Sequence, residues 1–205
     1  NFLSLLNKTK ISISNDDTRH YLNGIYLHAT ESNKNMFLTG VATDSHRLSS
    51  SSILVSDIKN FASIIVPRKT VFQLCSLLDN IEEKLTIQAN ANKIKFTLGK
   101  ISLISKVIDG KFPDYQKVVP KENTKTLTVS SADFISSVER VASVSIDRKE
   151  GVKLELSRDK LKLSVNSTNS GDGNEVVAAK YNGEDIVIGF NSKYLIDIAT
   201  EIEDK

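Results

Sequence analysis

Apolar and polar residues alternate along several short stretches of the chain, which predicts β-strands with one buried and one exposed face. The clearest alternation is at residues 85–89, 94–98, 152–156 and 161–165. Turn-forming residues separate neighbouring stretches, and the segments Asn90–Asn92 and Leu98–Lys100 are predicted to be hairpin turns. The pattern is typical of antiparallel sheets.

Four other stretches space their apolar residues by three and four positions, the pattern of a helix with one buried face. These stretches are residues 1–10, 70–78, 131–142 and 192–202. Thr70 and Ser192 stand at the start of two of them and are predicted to be helix N-caps. In the first stretch, Phe2, Leu3 and Leu6 are expected to face inward.

The predicted elements occur twice in the same order. Corresponding strands lie at 24–27 and 151–154, at 37–41 and 161–165, and at 64–66 and 186–188. The repeat is too long for a solenoid unit and therefore indicates two copies of one domain. We expect domains at 1–120 and 121–205, joined by a polar linker.

The two copies differ at their ends. The second copy has a predicted strand at 126–129 with no counterpart in the first copy, which continues instead with three strands within 85–118. We therefore expect an internal piece of a longer protein, in which the first domain lacks its first strand and the second lacks its C-terminal strands.

Composition narrows the class of protein. No apolar run approaches the roughly 20 residues that span a bilayer. The single cysteine, Cys75, excludes an internal disulfide and fits a cytoplasmic protein; its place on an apolar helix face predicts a buried structural thiol. The net charge of +2 shows no global excess of base, so contact with DNA would need a local basic surface.

Asp44, Ser45 and His46 are consecutive and are the most suggestive catalytic residues. Neighbouring residues of an extended chain point to opposite faces, so these three cannot form a nucleophile–base–orienter relay with each other. His20, His28 and His46 lack the spacing of a metal site, and no phosphate-binding glycine motif is present. We expect no catalytic site, cofactor or metal.

Five segments carry a family resemblance: Ala42–Leu48, Phe112–Val118, Tyr21–Gly24, Val66–Lys69, and Gly189–Asn191 with Tyr194. In the same order, and over the whole chain, they resemble segments of the bacterial DNA polymerase III beta subunit (sliding clamp) family. Two positions depart from the family pattern. Ser45 stands where glycine is common, and Lys117 stands where arginine is frequent, which keeps the charge but loses a bidentate fork.

The resemblance implies an α+β fold of repeated DNA-clamp domains, each with two helices packed on curved antiparallel sheets. The chain would cover the middle domain and part of the last. It implies a non-catalytic processivity factor, a homodimeric ring whose helices face duplex DNA. By resemblance, the DNA-contacting residues are Arg19, His20, Tyr21, Arg68 and Lys69. The alternative for Arg68 and Lys69 is an ordinary solvated surface.

The resemblance also implies a pocket between the middle and last domains for short peptides. Its partners would be the DNA polymerase III catalytic subunit, the clamp loader and repair polymerases. The wall residues carried over are Leu22, Thr43, His46, Arg47, Leu48, Pro113, Lys117, Val118, Asn191 and Tyr194. Without the resemblance, Leu22, Leu48 and Val118 would be read as core residues.

Two alternatives belong to other classes of protein. One is a hydrolase that uses Asp44 or His46, and the other is a β-rich peptide-binding adaptor with no role on DNA.

Overall fold

The computed structural model describes residues 1–55, 58, 61–79, 83–144, 151–167 and 171–202. Two compact units make up the chain, Asn1–Asp114 and Tyr115–Lys205, called unit 1 and unit 2 below. The domain boundary predicted at residue 120 falls inside unit 2.

Unit 1 contains two helices and seven strands among its described residues. In chain order these are α1 (Phe2–Lys10), β1 (Gly24–Ser32), β2 (Asn35–Thr43), β3 (Leu48–Leu54), β4 (Ile64–Pro67), α2 (Arg68–Leu78), β5 (Leu85–Ala89), β6 (Lys93–Leu98) and β7 (Ile101–Lys106). A short 3₁₀ helix, Asp17–Leu22, connects α1 to β1.

Unit 2 repeats much of this order. It contains a short 3₁₀ helix (Tyr115–Lys117), β8 (Thr128–Val129), α3 (Ser131–Ala142), β9 (Gly151–Ser157), β10 (Lys160–Ser167), β11 (Gly171–Lys180), β12 (Ile186–Asn191) and α4 (Ser192–Thr200).

The sheet topology confirms the repeat predicted from the sequence, but the predicted match of 64–66 with 186–188 is off by two residues, because Ile64 pairs with Leu27 and Ile188 with Leu154. The four-stranded sheet of unit 1 has the order β3-β2-β1-β4, and the sheet of unit 2 has the equivalent order β11-β10-β9-β12, with β8 added beside β11. All pairs are antiparallel, and even the register is shared, since Gly24 pairs with Pro67 and Gly151 with Asn191. In unit 1, β5, β6 and β7 form a second sheet.

Each unit buries one face of its sheet against its helices. In unit 1, Ile25 and Leu27 of β1 belong to a core that also contains Leu5 and Leu6 of α1. Helix α1 packs closely on strand β2, since a Cβ on Gly40 would lie 2.6 Å from a Leu5 methyl carbon. Each fully buried leucine or isoleucine contributes about 1.5–3 kcal/mol relative to an exposed one.

The core of unit 2 follows the alternation predicted for 161–165. Leu161 and Leu163 are fully buried and join Val138 and Val141 of α3 in one cluster. Among the described residues, no helix combines the length and the apolarity that a membrane crossing requires.

Both N-cap predictions are wrong. Helix α2 begins at Arg68, with Pro67 as its N-cap, because β4 runs directly into the helix. The Thr70 hydroxyl lies inside the first turn and hydrogen-bonds to Ser105 Oγ at 2.7 Å. Helix α4 is capped by Asn191, whose Oδ1 accepts the Lys193 N–H at 2.9 Å, and Ser192 is its first helical residue.

Of the burial predictions, the one for Cys75 needs correction and the one for α1 is confirmed in direction. In α1, Leu6 is fully buried as predicted, and Phe2 and Leu3 pack against the core as predicted but are only half-buried. Cys75 packs against the same core but is half-buried rather than buried. Phe2 and Leu3, at the N-terminus of α1, lie at the edge of the core, where solvent still reaches them.

Candidate functional site

The second face of the four-stranded sheet in unit 1 carries its own apolar cluster. Because side chains alternate along a strand, Tyr26 points away from the core that Ile25 and Leu27 enter. Tyr26 lies opposite Val41 on one side and Ile65 on the other, and both are almost completely buried although neither belongs to the helix-facing core. The sheet is therefore covered on this side as well.

The covering segment is the stretch that follows β7. The Ile108 N–H donates to the Ile65 carbonyl at 2.9 Å, so the segment is attached to β4. Phe112 is buried and stacks on Tyr26, with 4.9 Å between ring centroids and 6° between ring planes. This stack fixes the position of the next residue, the exposed Pro113.

His28 extends the stack on the same strand. Its ring lies 4.7 Å from that of Tyr26, at an interplanar angle of 23°. Burial disfavours the charged imidazole and lowers the pKa of His28 below its usual 6.5, although a hydrogen bond to the Ala29 carbonyl opposes this shift. The sequence reasoning missed both Tyr26 and His28; two aromatic residues two positions apart on a strand were the available signal of a second covered face.

The loop between β2 and β3 is closed by its own side chains. Asp44 Oδ1 accepts the backbone N–H groups of His46 and Arg47 at 2.9 and 3.0 Å, and its Oδ2 accepts Arg47 Nε at 3.0 Å. The Thr43 hydroxyl donates to the Arg47 carbonyl at 2.7 Å. Thr43 and Leu48 pair across the base of this loop, which fixes the backbone at both ends of the loop.

This geometry gives no support to the hydrolase alternative. Both carboxylate oxygens of Asp44 are occupied in holding the turn, and Ser45 Oγ accepts a hydrogen bond from the Arg19 guanidinium. In the part of the chain that the structure describes, no group of three His, Cys, Asp or Glu residues is placed to hold a metal ion.

Arg19 lies at this loop. Its Nε also donates to Asp16 Oδ2 at 2.8 Å, so the guanidinium is held from two sides. The Thr18 side-chain and backbone hydrogen bonds, followed by that of Arg19, lower the pKa of Asp16 to about 2. Arg19 was predicted to contact DNA together with His20, but the structure directs its side chain toward Ser45.

Three other residues predicted to contact DNA line one open depression of about 600 Å³: His20, Arg68 and Lys69. His20 is fixed by a hydrogen bond to the Asp109 carbonyl at 3.1 Å, and Tyr21 packs edge-on against its ring. The depression lies at the N-terminus of α2, where no side chain caps the first turn. The Arg68 guanidinium lies 5.3 Å from the centre of the Phe72 ring.

The residues predicted for the peptide pocket differ in exposure. In unit 1, Leu22 is only 3% exposed, Thr43, Arg47 and Leu48 are half-buried, and His46 and Pro113 are exposed. The burial of Leu22 is what the core interpretation expects. In unit 2, Val118 is 69% exposed, Asn191 caps α4 and Tyr194 lies within that helix. The roles of all ten residues in peptide binding stay predictions.

Comparison with protein families assigns both units. Residues 1–114 match the central domain of the DNA polymerase III beta subunit, and residues 116–205 match its C-terminal domain. The chain is 37% identical over 201 residues to the beta sliding clamp of Caulobacter vibrioides, which covers 98% of this chain and 54% of that protein. It is 34% identical over 199 residues to the beta sliding clamp of Escherichia coli, covering 97% and 53%.

Solved structures agree. A Caulobacter crescentus beta sliding clamp superposes with a TM-score of 0.96 at 37% identity, covering 99% of this chain and 54% of that one. A Bartonella birtlesii sliding clamp bound to griselimycin gives a TM-score of 0.94 at 41% identity, covering 99% and 55%. The chain thus spans about half the length of the relatives that it matches.

Repeated domains, each a helix pair on an antiparallel sheet, define a DNA-clamp fold. The chain belongs to the DNA polymerase III beta subunit family, whose members are beta sliding clamps.

Proposed function

We propose that this chain acts within a DNA sliding clamp, a homodimeric ring in the bacterial cytoplasm that encircles duplex DNA and tethers the replicative polymerase without any catalytic step of its own. The observation that carries the proposal is the depression that joins His20, Arg68 and Lys69 at the uncapped start of α2. Membership of the beta subunit family supports the same function.

Phosphate is the group that this depression suits. Arg68 and Lys69 attract the DNA backbone and outnumber the lining carboxylate of Asp17, and the dipole of the helix N-terminus adds to the attraction. Phosphate contacts carry no sequence information directly, so such a surface can hold duplex DNA and still slide along it.

Equilibrium binding of short duplexes of two unrelated sequences, measured across a range of salt concentrations, tests the DNA role. The double variant Arg68→Ala with Lys69→Ala should weaken binding equally for both sequences, and each lost phosphate contact should reduce the salt slope by about 0.9. A matched control removes the same charge from the exposed residues Lys84 and Lys100, which lie beside the Leu85–Leu98 end of the second sheet, and it should change the slope little.

Two outcomes would contradict the DNA role. A change in sequence preference would mean that Arg68 and Lys69 read bases, and an equal loss in the control variant would mean that only net charge matters. A chain that binds peptides but shows no affinity for duplex DNA would favour the adaptor alternative.

The second proposed surface binds short peptides of the polymerase catalytic subunit, the clamp loader and repair polymerases. It comprises the 44–47 loop and the residues beside it, with Leu48 and Pro113 as apolar contacts. The hydrogen bonds of Asp44 and the stack under Pro113 hold this surface in place before a ligand arrives, which reduces the entropy cost of binding. Two apolar anchors of about 1.5–3 kcal/mol each, less the ordering costs, give binding of about micromolar order, which suits partners that exchange.

A further inference from the structure

Ser45 joins the two proposed surfaces through one hydrogen bond. Its Oγ accepts a hydrogen bond from Arg19 Nη1. Arg19 belongs to the 3₁₀ helix Asp17–Leu22, and the next residue of that helix, His20, lines the cationic depression. Ser45 belongs to the 44–47 loop of the proposed peptide surface. The bond therefore spans from one surface to the other inside unit 1.

Ser45 has a backbone conformation that serine rarely adopts, so the contacts that support it matter. Its φ is +79°, in the left-handed region that favours glycine. A glycine would hold this conformation more easily but would have no hydroxyl to offer Arg19. The conformation of Ser45 is supported by its N–H, which donates to Thr43 Oγ1 at 3.1 Å, and by the Arg19 bond to its side chain.

A phosphate is a stronger acceptor for a guanidinium than a neutral hydroxyl is, because both partners are charged. Arg19 lies beside the depression that is proposed to face DNA, so a phosphate that draws the guanidinium away removes one support from a disfavoured loop conformation. The loop is then less well ordered for a peptide.

We propose that Ser45 is a positioning residue that couples the two surfaces: it holds Arg19 at the loop when DNA is absent, and duplex DNA weakens peptide binding by releasing Arg19. This coupling rests on the proposed function, since it requires both ligands. Coupling of binding is reciprocal, so the peptide weakens duplex binding by the same factor.

The test measures the affinity of the whole chain for a fluorescein-labelled clamp-binding peptide of the DNA polymerase III catalytic subunit, without and with a saturating short duplex. In the native chain the duplex should weaken peptide binding about 5- to 10-fold, which corresponds to about 1 kcal/mol, the contribution of one hydrogen bond. In Ser45→Gly and Ser45→Ala the ratio should fall close to one. Glycine relaxes the backbone and alanine does not, so agreement between them assigns the coupling to the hydroxyl.

Ser63→Gly is the matched control, because Ser63 is exposed and precedes β4 at the opposite end of that strand from Pro67; it should keep the native ratio. If both ligands bind and the native ratio is one, or if Ser45→Gly keeps the native ratio, the coupling is wrong while the proposed function stands. If either ligand fails to bind the native chain, the proposed function fails and the coupling fails with it.

Discussion

The rings of Phe112 and Tyr26 stack almost parallel, with 4.9 Å between their centroids, although the two residues lie far apart in the sequence, one after β7 and the other on β1. The contact fastens the segment after β7 onto the second face of the sheet and places Pro113 at the surface. It is thus a structural support for the proposed peptide surface.

Loss of this stack should destabilise the protein. Phe112 is 7% exposed, and removal of a buried phenylalanine side chain leaves a cavity, so Phe112→Ala should cost about 3–5 kcal/mol in urea denaturation. Tyr26→Phe retains the ring and should change stability little. Tyr26→Leu removes the ring and should lower stability. Equal stability of Tyr26→Phe and Tyr26→Leu would show that stacking contributes nothing beyond apolar contact.

Peptide binding should depend on Leu48. A carboxylate at this half-buried position opposes an apolar ligand, so Leu48→Asp should weaken binding of the labelled peptide at least 10-fold, the equivalent of about 1.4 kcal/mol. The control is Leu54→Asp, which makes the same chemical change on the same strand. Leu54 lies at the other end of β3 and is 66% exposed. Undiminished binding by a folded Leu48→Asp variant would show that the surface is misplaced.

Gly24 should be essential to the pairing of β1 with β4. A Cβ at this position would lie 2.2 Å from the Val66 carbonyl oxygen, which is backbone and cannot turn aside. Gly24→Ala should therefore destabilise the chain by about 1–3 kcal/mol. Gly189 has open space around its Cβ position and serves as the control, since Gly189→Ala should leave the midpoint of thermal unfolding nearly unchanged.

His28 should make stability depend on pH. Because its pKa is lower in the folded state, the unfolded chain takes up the proton first, and the free energy of unfolding should fall as pH falls through about 6.5. His28→Phe retains a ring beside Tyr26 and should flatten this dependence. Urea denaturation of both proteins between about pH 7.5 and pH 5.5 measures the difference. Parallel pH profiles for the two proteins would contradict the assignment.

The sequence predicted much of the candidate site but not its arrangement. Motif resemblance singled out His20, Arg68 and Lys69, which the structure brings to one depression. It grouped Arg19 with them, yet Asp16 and Ser45 hold the Arg19 side chain at the neighbouring loop. Which of two nearby acceptors a long side chain reaches depends on the fold of both loops, and residue type alone does not decide it.

By itself, the sequence determined most of the secondary elements and the repeat, although it did not predict β3 or β11. Alternation at 161–165 and helical spacing at 131–142 are local patterns, and burial of one apolar face is enough to select strand or helix. Only the tertiary structure decided where α2 begins, because its start depends on how β4 enters the helix through Pro67. Likewise, only the fold brought Phe112 onto Tyr26 and Arg19 onto Ser45. Such contacts join residues far apart in the chain, and their geometry follows from strand register and loop paths that no local pattern records.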